Sequence, residues 1–159
     1  MAKAKTSELR LSSEAFASGD PIPARYTADG ENVSPPLSWS GVPAGSKSLV
    51  LACEDPDAPR GTWIHWVVYD IPASVSALPE GVPSRETLAT GGTHGKNDFG
   101  RLAYGGPAPP SGTHRYFFRL EALDRMISLP AGASLAQVRR AAEGHVLARG
   151  ELMGTYSRR

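Results

Sequence analysis

Glycine and proline interrupt this chain so often that little uninterrupted sequence is left for long helices. There are 17 glycines and 14 prolines in 159 residues, about a fifth of the chain against roughly an eighth in an average protein. Such spacing predicts many turns, short elements and a mostly β fold. The length suits one domain. A folded chain of this size buries roughly two-thirds of its unfolded surface and needs no disulfide staple. Leu, Ile, Val and Phe together number 31, near the low edge for a globular protein. The net charge of +1 nevertheless supplies none of the self-repulsion that accompanies disorder.

The same composition excludes several classes of function. No run of 18 apolar residues occurs, so no transmembrane segment is expected. Lys3, Lys5 and Arg10 have no apolar stretch behind them, unlike a secretory signal, and the expected location is the cytoplasm. The single cysteine, Cys53, leaves no internal disulfide framework and no Cys-rich zinc site. Balanced charge without a basic block argues against nucleic acid as a partner. Residues 1–8 read as a disordered tail ahead of a single domain over residues 9–159.

Three runs rich in β-branched and aromatic residues read as strands: Ser48–Glu54, Trp63–Ile71 and His114–Leu123, each bounded by turn residues. The loop between Leu78 and Pro110 is dense in glycine and proline from Gly91 onward, and a loop that long has a functional or packing role. One helix is signalled. Ser134 and Gln137 form a capping box, and Leu135, Val138, Ala142 and Val146 follow at helical spacing until Gly150 supplies a stop. This helix is expected to lie on the sheet near the C-terminus.

Three segments carry chemistry. In Asp55-Pro56-Asp57-Ala58-Pro59, two prolines fix the backbone around two carboxylates. Taken alone, the segment reads as a turn whose Asp side chains bond nearby N–H groups. In Trp63-Ile64-His65-Trp66, strand alternation puts His65 on one face with Trp63, Val67 and Tyr69. Alone, it reads as a core histidine satisfied by a backbone carbonyl. In His114-Arg115-Tyr116-Phe117-Phe118, His114, Tyr116, Phe118 and Leu120 share a face that is polar at one end. That gradient suits a pocket floor with its mouth at His114, or equally a strand emerging into solvent. Gly105-Gly106-Pro107 could bring a backbone N–H close to a ligand. The P-loop and kinase metal motifs are absent, because Asn97 replaces Ser or Thr after Lys96 and nothing accompanies Asp98-Phe99-Gly100. Cys53 reads as buried and inert. No cofactor and no metal are expected.

Together these segments resemble the two signature regions of the phosphatidylethanolamine-binding proteins. The likeness runs from Asp55-Pro56-Asp57-Ala58-Pro59 through Trp63-x-His65 to Gly106-Pro107-x-Pro109-Pro110-x-Gly112-x-His114-Arg115-Tyr116. Asn32-Val33-Ser34-Pro35-Pro36-Leu37-Ser38-Trp39 fits as well. The short link Arg60-Gly61-Thr62 and the ending are similar to the bacterial branch, often called Raf kinase inhibitor-like proteins. The resemblance implies an antiparallel Greek-key β-sandwich with one or two helices near the C-terminus. It also implies a small pocket for phosphate, acetate or a phosphoethanolamine headgroup, formed by Asp55, Trp63, His65, Gly106, Pro109, His114 and Tyr116. Asp57, Pro59 and Arg115 are expected to support it. Ala28 and Ala108 stand where bacterial relatives often carry cysteine.

The leading expectation is a non-enzymatic binding protein for small anionic or zwitterionic ligands. Histidine protonation would strengthen anion binding as pH falls toward about 6. One alternative is a kinase or protease regulator whose pocket gates a contact surface, favoured by an exposed apolar patch beside the pocket. Another is a weak phosphoester hydrolase using Asp55 and a histidine. A homodimer is the default assembly.

Overall fold

The computed structural model describes residues 7–158. Its strands are β1 (Ser7–Glu8), β2 (Arg10–Ser12), β3 (Leu37–Ser40), β4 (Ser48–Asp55), β5 (Trp63–Pro72), β6 (Ala77–Leu78), β7 (Thr93–His94), β8 (Gly112–Leu123) and β9 (Val146–Arg158). One α-helix, α1 (Leu135–Ala142), precedes β9, and a single 3₁₀ turn spans Ala24–Tyr26. Six strands form one sheet in the order β1-β9-β8-β4-β5-β7, and β2-β3-β6 form a second. Among the described strands the β1–β9 pairing is parallel and the rest are antiparallel, and an isolated parallel bridge joins Pro21 to Thr155.

The large sheet is covered on both faces at its centre, which explains why β4 is a continuous apolar run rather than an alternating one. On one face Leu49, Leu51, Cys53, Trp66 and Phe118 meet Leu11, Trp39 and Leu78 of the small sheet. On the other, Val50, Ala52, Val67 and Tyr69 meet Leu135, Val138 and Ala142 of α1. Glu54 is also buried on the helix side, where it accepts hydrogen bonds from Arg139 and Arg119. Burial alone would raise its pKa, and the two guanidiniums hold it below the ordinary carboxylate value.

The mostly β, antiparallel architecture with one helix near the C-terminus is the one the sequence implies, with three local corrections. The capping box forms, Ser134 N–H donating to Gln137 Oε1 at 2.9 Å and Gln137 N–H to Ser134 Oγ at 3.1 Å. The helix nevertheless ends at Ala142, and Val146 opens β9 instead of adding a helical turn. Gly150 is therefore no helix stop. It lies inside β9 opposite Leu9, whose carbonyl oxygen would sit 2.5 Å from any Cβ placed there. Finally, Ser7 and Glu8, expected within a tail over residues 1–8, form a strand. Residues 1–6 lie outside the described residues, but Ser7 and Glu8 pair with Ala148 and Arg149. Leu9 follows them into the core and holds the segment to the sheet edge.

Candidate functional site

Asp55 ends β4 and enters the proline-fixed turn. Its Oδ1 accepts the Asp57 N–H at 2.8 Å, the Asx-turn bond that the local sequence favours. Its Oδ2 faces the neighbouring strand β8 and accepts from His114 Nδ1 at 2.6 Å. Asp57 turns outward. It accepts from the Arg115 backbone N–H, Nε and Nη2, each at 2.9 Å. The Arg115 guanidinium lowers the Asp57 pKa to about 2. Asp57 and Arg115 thus clamp the turn against β8 and leave Asp55 to orient His114.

Tyr116 follows His114 on the same face of β8, and Phe118 and Leu120 continue that face into the core. The polar-to-apolar gradient along β8 is therefore real. Tyr116 is fully buried, and burial, with Asp55 close by, pushes its hydroxyl pKa up. Among the described residues, its hydroxyl and that of Ser46 are the buried side-chain polar atoms with no hydrogen-bond partner.

His65 reaches the same place by an irregularity. Simple alternation puts it on the face of Val67 and Tyr69, under α1. The pairing of β4 with β5 instead slips between Cys53–Trp66 and Glu54–Ile64. This β-bulge leaves His65 as an extra residue and re-aims it. Ile64 packs on the helix side, whereas His65 meets the Tyr116 ring edge-on at 5.2 Å. His65 Nδ1 lies 2.6 Å from the Gly105 carbonyl oxygen, and Gly105 N–H donates back to His65 O at 2.9 Å. A carbonyl only accepts, so Nδ1 carries the hydrogen. Burial lowers the His65 pKa, against the pull of the Gly105 carbonyl and of Asp55 and Asp98.

The loop after β7 completes the wall. Asn97 is buried. Its Nδ2 donates to Ala103 O at 2.7 Å, and its Oδ1 accepts from the Phe99 and Arg101 N–H groups at 3.0 Å each. These bonds present Phe99, whose ring lies edge-on to Trp63 at 5.5 Å and to His65 at 5.4 Å. Phe99 also lies over Gly105, where a Cβ would fall 2.5 Å from the ring. Phe99 and Trp63 remain 44% and 39% exposed, so they form the rim of the cleft.

The result is a cleft of about 210 Å³ that brings together Asp55, Pro59, Trp63, His65, Pro109, His114 and Tyr116, joined by Phe99, Ala58, Ala108 and Pro110. Gly106 is the exception. It lines a neighbouring hollow with Asn32 and Arg101, and its N–H already donates to Asn32 Oδ1 at 2.8 Å, so it is not a donor to this cleft. The residues the sequence does not single out are Phe99 and its Asn97 anchor. Their signal was an aromatic residue placed for exposure between Asp98 and Gly100 in a glycine-rich loop. A larger hollow of about 570 Å³ lies between α1 and the β8–β9 pair. Its walls are ion pairs, with Arg149 bound to Glu121 and Arg119 bound to Glu151 and Glu54, a satisfied surface rather than a chemically open one. Among the described residues, no group of three or more His, Cys, Asp or Glu side chains is arranged to hold a metal ion.

Two packed sheets, one outer helix and a small, largely apolar cleft around an Asp–His pair define a β-sandwich protein. Residues 12–157 match the family described as phosphatidylethanolamine-binding protein, and the chain belongs to that family. It is 53% identical over 150 residues to a UPF0098 protein of Methanothermobacter thermautotrophicus, covering 94% of this chain and 99% of the relative. A solved structure of the homologue CT736 from Chlamydia trachomatis superposes with a TM-score of 0.86 at 43% identity, covering 96% of this chain and 99% of that one. The E. coli protein YbcL, described as a member of the mammalian PEBP family, gives 0.88 at 34% identity with the same coverage.

Proposed function

We propose that this cleft binds a small ligand through an oxyanion group, without turnover: a phosphate, a phosphoethanolamine headgroup or a carboxylate such as acetate. The observation that carries the reading is the Tyr116 hydroxyl, buried and unpaired at the floor. An orphaned buried donor costs about 1–3 kcal/mol, and a ligand oxygen accepting from it recovers that cost. His114, held by Asp55, stands beside it. The volume supports a headgroup or free anion over an acyl chain, since drug-sized ligands occupy pockets of about 300–1,000 Å³. No Lys, Arg, Ser, Thr or Cys lines the cleft. A bare dianion therefore meets no full counter-charge from a basic side chain, and the expected affinity is weak, about 0.1–1 mM.

The test is a phosphoethanolamine titration followed by amide NMR on the wild type and on His65→Ala, His114→Ala and Tyr116→Phe. Saturable shifts around Asp55, His65 and His114 that the variants lose support the reading. A folded wild type with no shifts overturns it. A second reading rests on the exposed Trp63–Phe99 rim, an apolar patch of the kind a protein-level kinase or protease regulator would present beside a gating pocket.

A further inference from the structure

We propose that the hollow lined by Asn32, Arg101 and the Gly105-Gly106 backbone is a second ligand site, separate from the cleft, and that it takes a small planar monocarboxylate of benzoate size. The inference is independent of the reading of the cleft, because the two hollows share Phe99 alone.

The walls supply the reason. The hollow holds about 300 Å³, the lower end of the range that small ligands fill. Ala28, Phe99 and Tyr104 give it an apolar surface. Gly105 and Gly106 add bare backbone, and neither position has room for a side chain. A Cβ would fall 2.5 Å from the Phe99 ring at Gly105 and 2.5 Å from Asn32 Oδ1 at Gly106. Aromatic rings and bare backbone of this kind suit a flat ligand.

Two donors supply the polar part. Gly106 N–H donates to the Asn32 amide at 2.8 Å. An N–H needs an acceptor, so the oxygen end of that amide faces Gly106 and Nδ2 is the other end. Nδ2 has no partner among the described residues, on a side chain that lines the hollow. Arg101 is held through its backbone, its N–H donating to Asn97 Oδ1 at 3.0 Å and its carbonyl accepting from the Asn97 N–H at 2.9 Å. Its guanidinium makes no hydrogen bond or ion pair among the described residues. The nearby carboxylates are already engaged: Asp29 with Tyr156 and Arg158, Glu31 with Arg25, and Asp98 with the Ile64 N–H. None of them lines the hollow. A carboxylate has one charge and two oxygens, which match one guanidinium and one amide N–H. A dianion brings a second charge that nothing in the lining meets. The larger hollow beside α1 has more arginines, but each is bonded to a glutamate.

The experiment is an amide NMR titration of the whole protein with benzoate, benzyl alcohol and phosphoethanolamine. Benzoate is expected to bind with a Kd of about 1–10 mM, shifting the backbone amides of Asn32, Arg101, Gly105 and Gly106 and the Asn32 side-chain N–H resonances. Benzyl alcohol has the same ring without the charge and is expected to bind roughly tenfold more weakly. Arg101→Gln keeps the backbone bonds to Asn97 and removes the cation. Its benzoate affinity is expected to fall roughly tenfold, while phosphoethanolamine shifts around Asp55 and His114 stay as in the wild type. Benzoate shifts that are absent, or confined to Asp55, His65 and His114, overturn the inference. So does benzoate binding that Arg101→Gln leaves intact. Benzyl alcohol binding within twofold of benzoate overturns it in the wild type alone, should the variant fail to fold. Each of these results leaves the reading of the cleft standing. Benzoate shifts at Asn32 without phosphoethanolamine shifts anywhere uphold this site and overturn that reading.

Discussion

His65 and His94 are two buried histidines with the same first bond and different second ones. Each directs Nδ1–H at a backbone carbonyl, that of Gly105 at 2.6 Å and that of Arg85 at 2.5 Å. Burial lowers the pKa of both. The second nitrogen separates them. His94 Nε2 accepts from the Trp66 indole N–H at 3.1 Å, which closes the ring into the core. His65 Nε2 has no hydrogen-bond partner among the described residues, in a ring that lines the cleft beside Tyr116, whose hydroxyl is unpaired. One histidine is structural because its chemistry is consumed. The other is available because the fold consumed only half of it.

The comparison breaks hardest at His94. His94→Ala orphans the Trp66 N–H inside the core, releases the half-buried Arg85 carbonyl and leaves a cavity. The expected loss is about 3 kcal/mol by urea denaturation, with phosphate affinity unchanged in the folded protein. His65→Ala reverses the pattern, costing about 1 kcal/mol and abolishing phosphate binding. Equal stability losses in the two variants would erase the distinction.

Asn97→Ala falls between them. It releases the loop bonds that present Phe99, for an expected cost of about 2 kcal/mol with several-fold weaker binding; unchanged binding would show that Phe99 needs no anchor. Tyr116→Phe sharpens the comparison further. Removing an unpaired hydroxyl leaves stability within about 1 kcal/mol of wild type, or improves it, while binding falls roughly tenfold. A large loss of stability would mean that the hydroxyl is satisfied within the fold.

The smallest effect is pH dependence. Both histidines have folded pKa values below their unfolded ones. Their contribution to stability is fully present above the unfolded value of about 6.5 and declines as pH falls below it, because the unfolded chain takes up protons first. Denaturation midpoints measured between pH 5 and 8 should be flat at the top and fall at the bottom. A rise in stability on acidification through this window would contradict neutral buried rings.

Much of this site is legible in the residues themselves. Period-two alternation along β8 puts His114 and Tyr116 on one face, and the prolines around Asp55 and Asp57 mark a held turn. The bland reading of His65, a core histidine bonded to a carbonyl, describes its Nδ1 correctly. Its face is misread because a one-residue bulge inverts the pleat, and register against β4 leaves no local mark in the sequence of β5. The same limit hides His94 and Asn97, whose partners lie in segments joined only by folding. β9 is obscured because Val146 continues a helical spacing and Gly150 resembles a stop, while the reason for that glycine, the close pass of Leu9, is tertiary. Gly106 shows the converse case. Its N–H has the right chemistry, but Asn32, distant in sequence, had already taken it.

The most direct test of the account is ¹⁵N NMR of the histidine rings at neutral pH, before and after adding phosphate. The account expects both His65 and His94 as Nδ1–H tautomers, with phosphate moving the Nε2 resonance of His65 and leaving that of His94 in place. A His65 ring protonated at Nε2 in the free protein, or a phosphate response at His94 rather than His65, would contradict it.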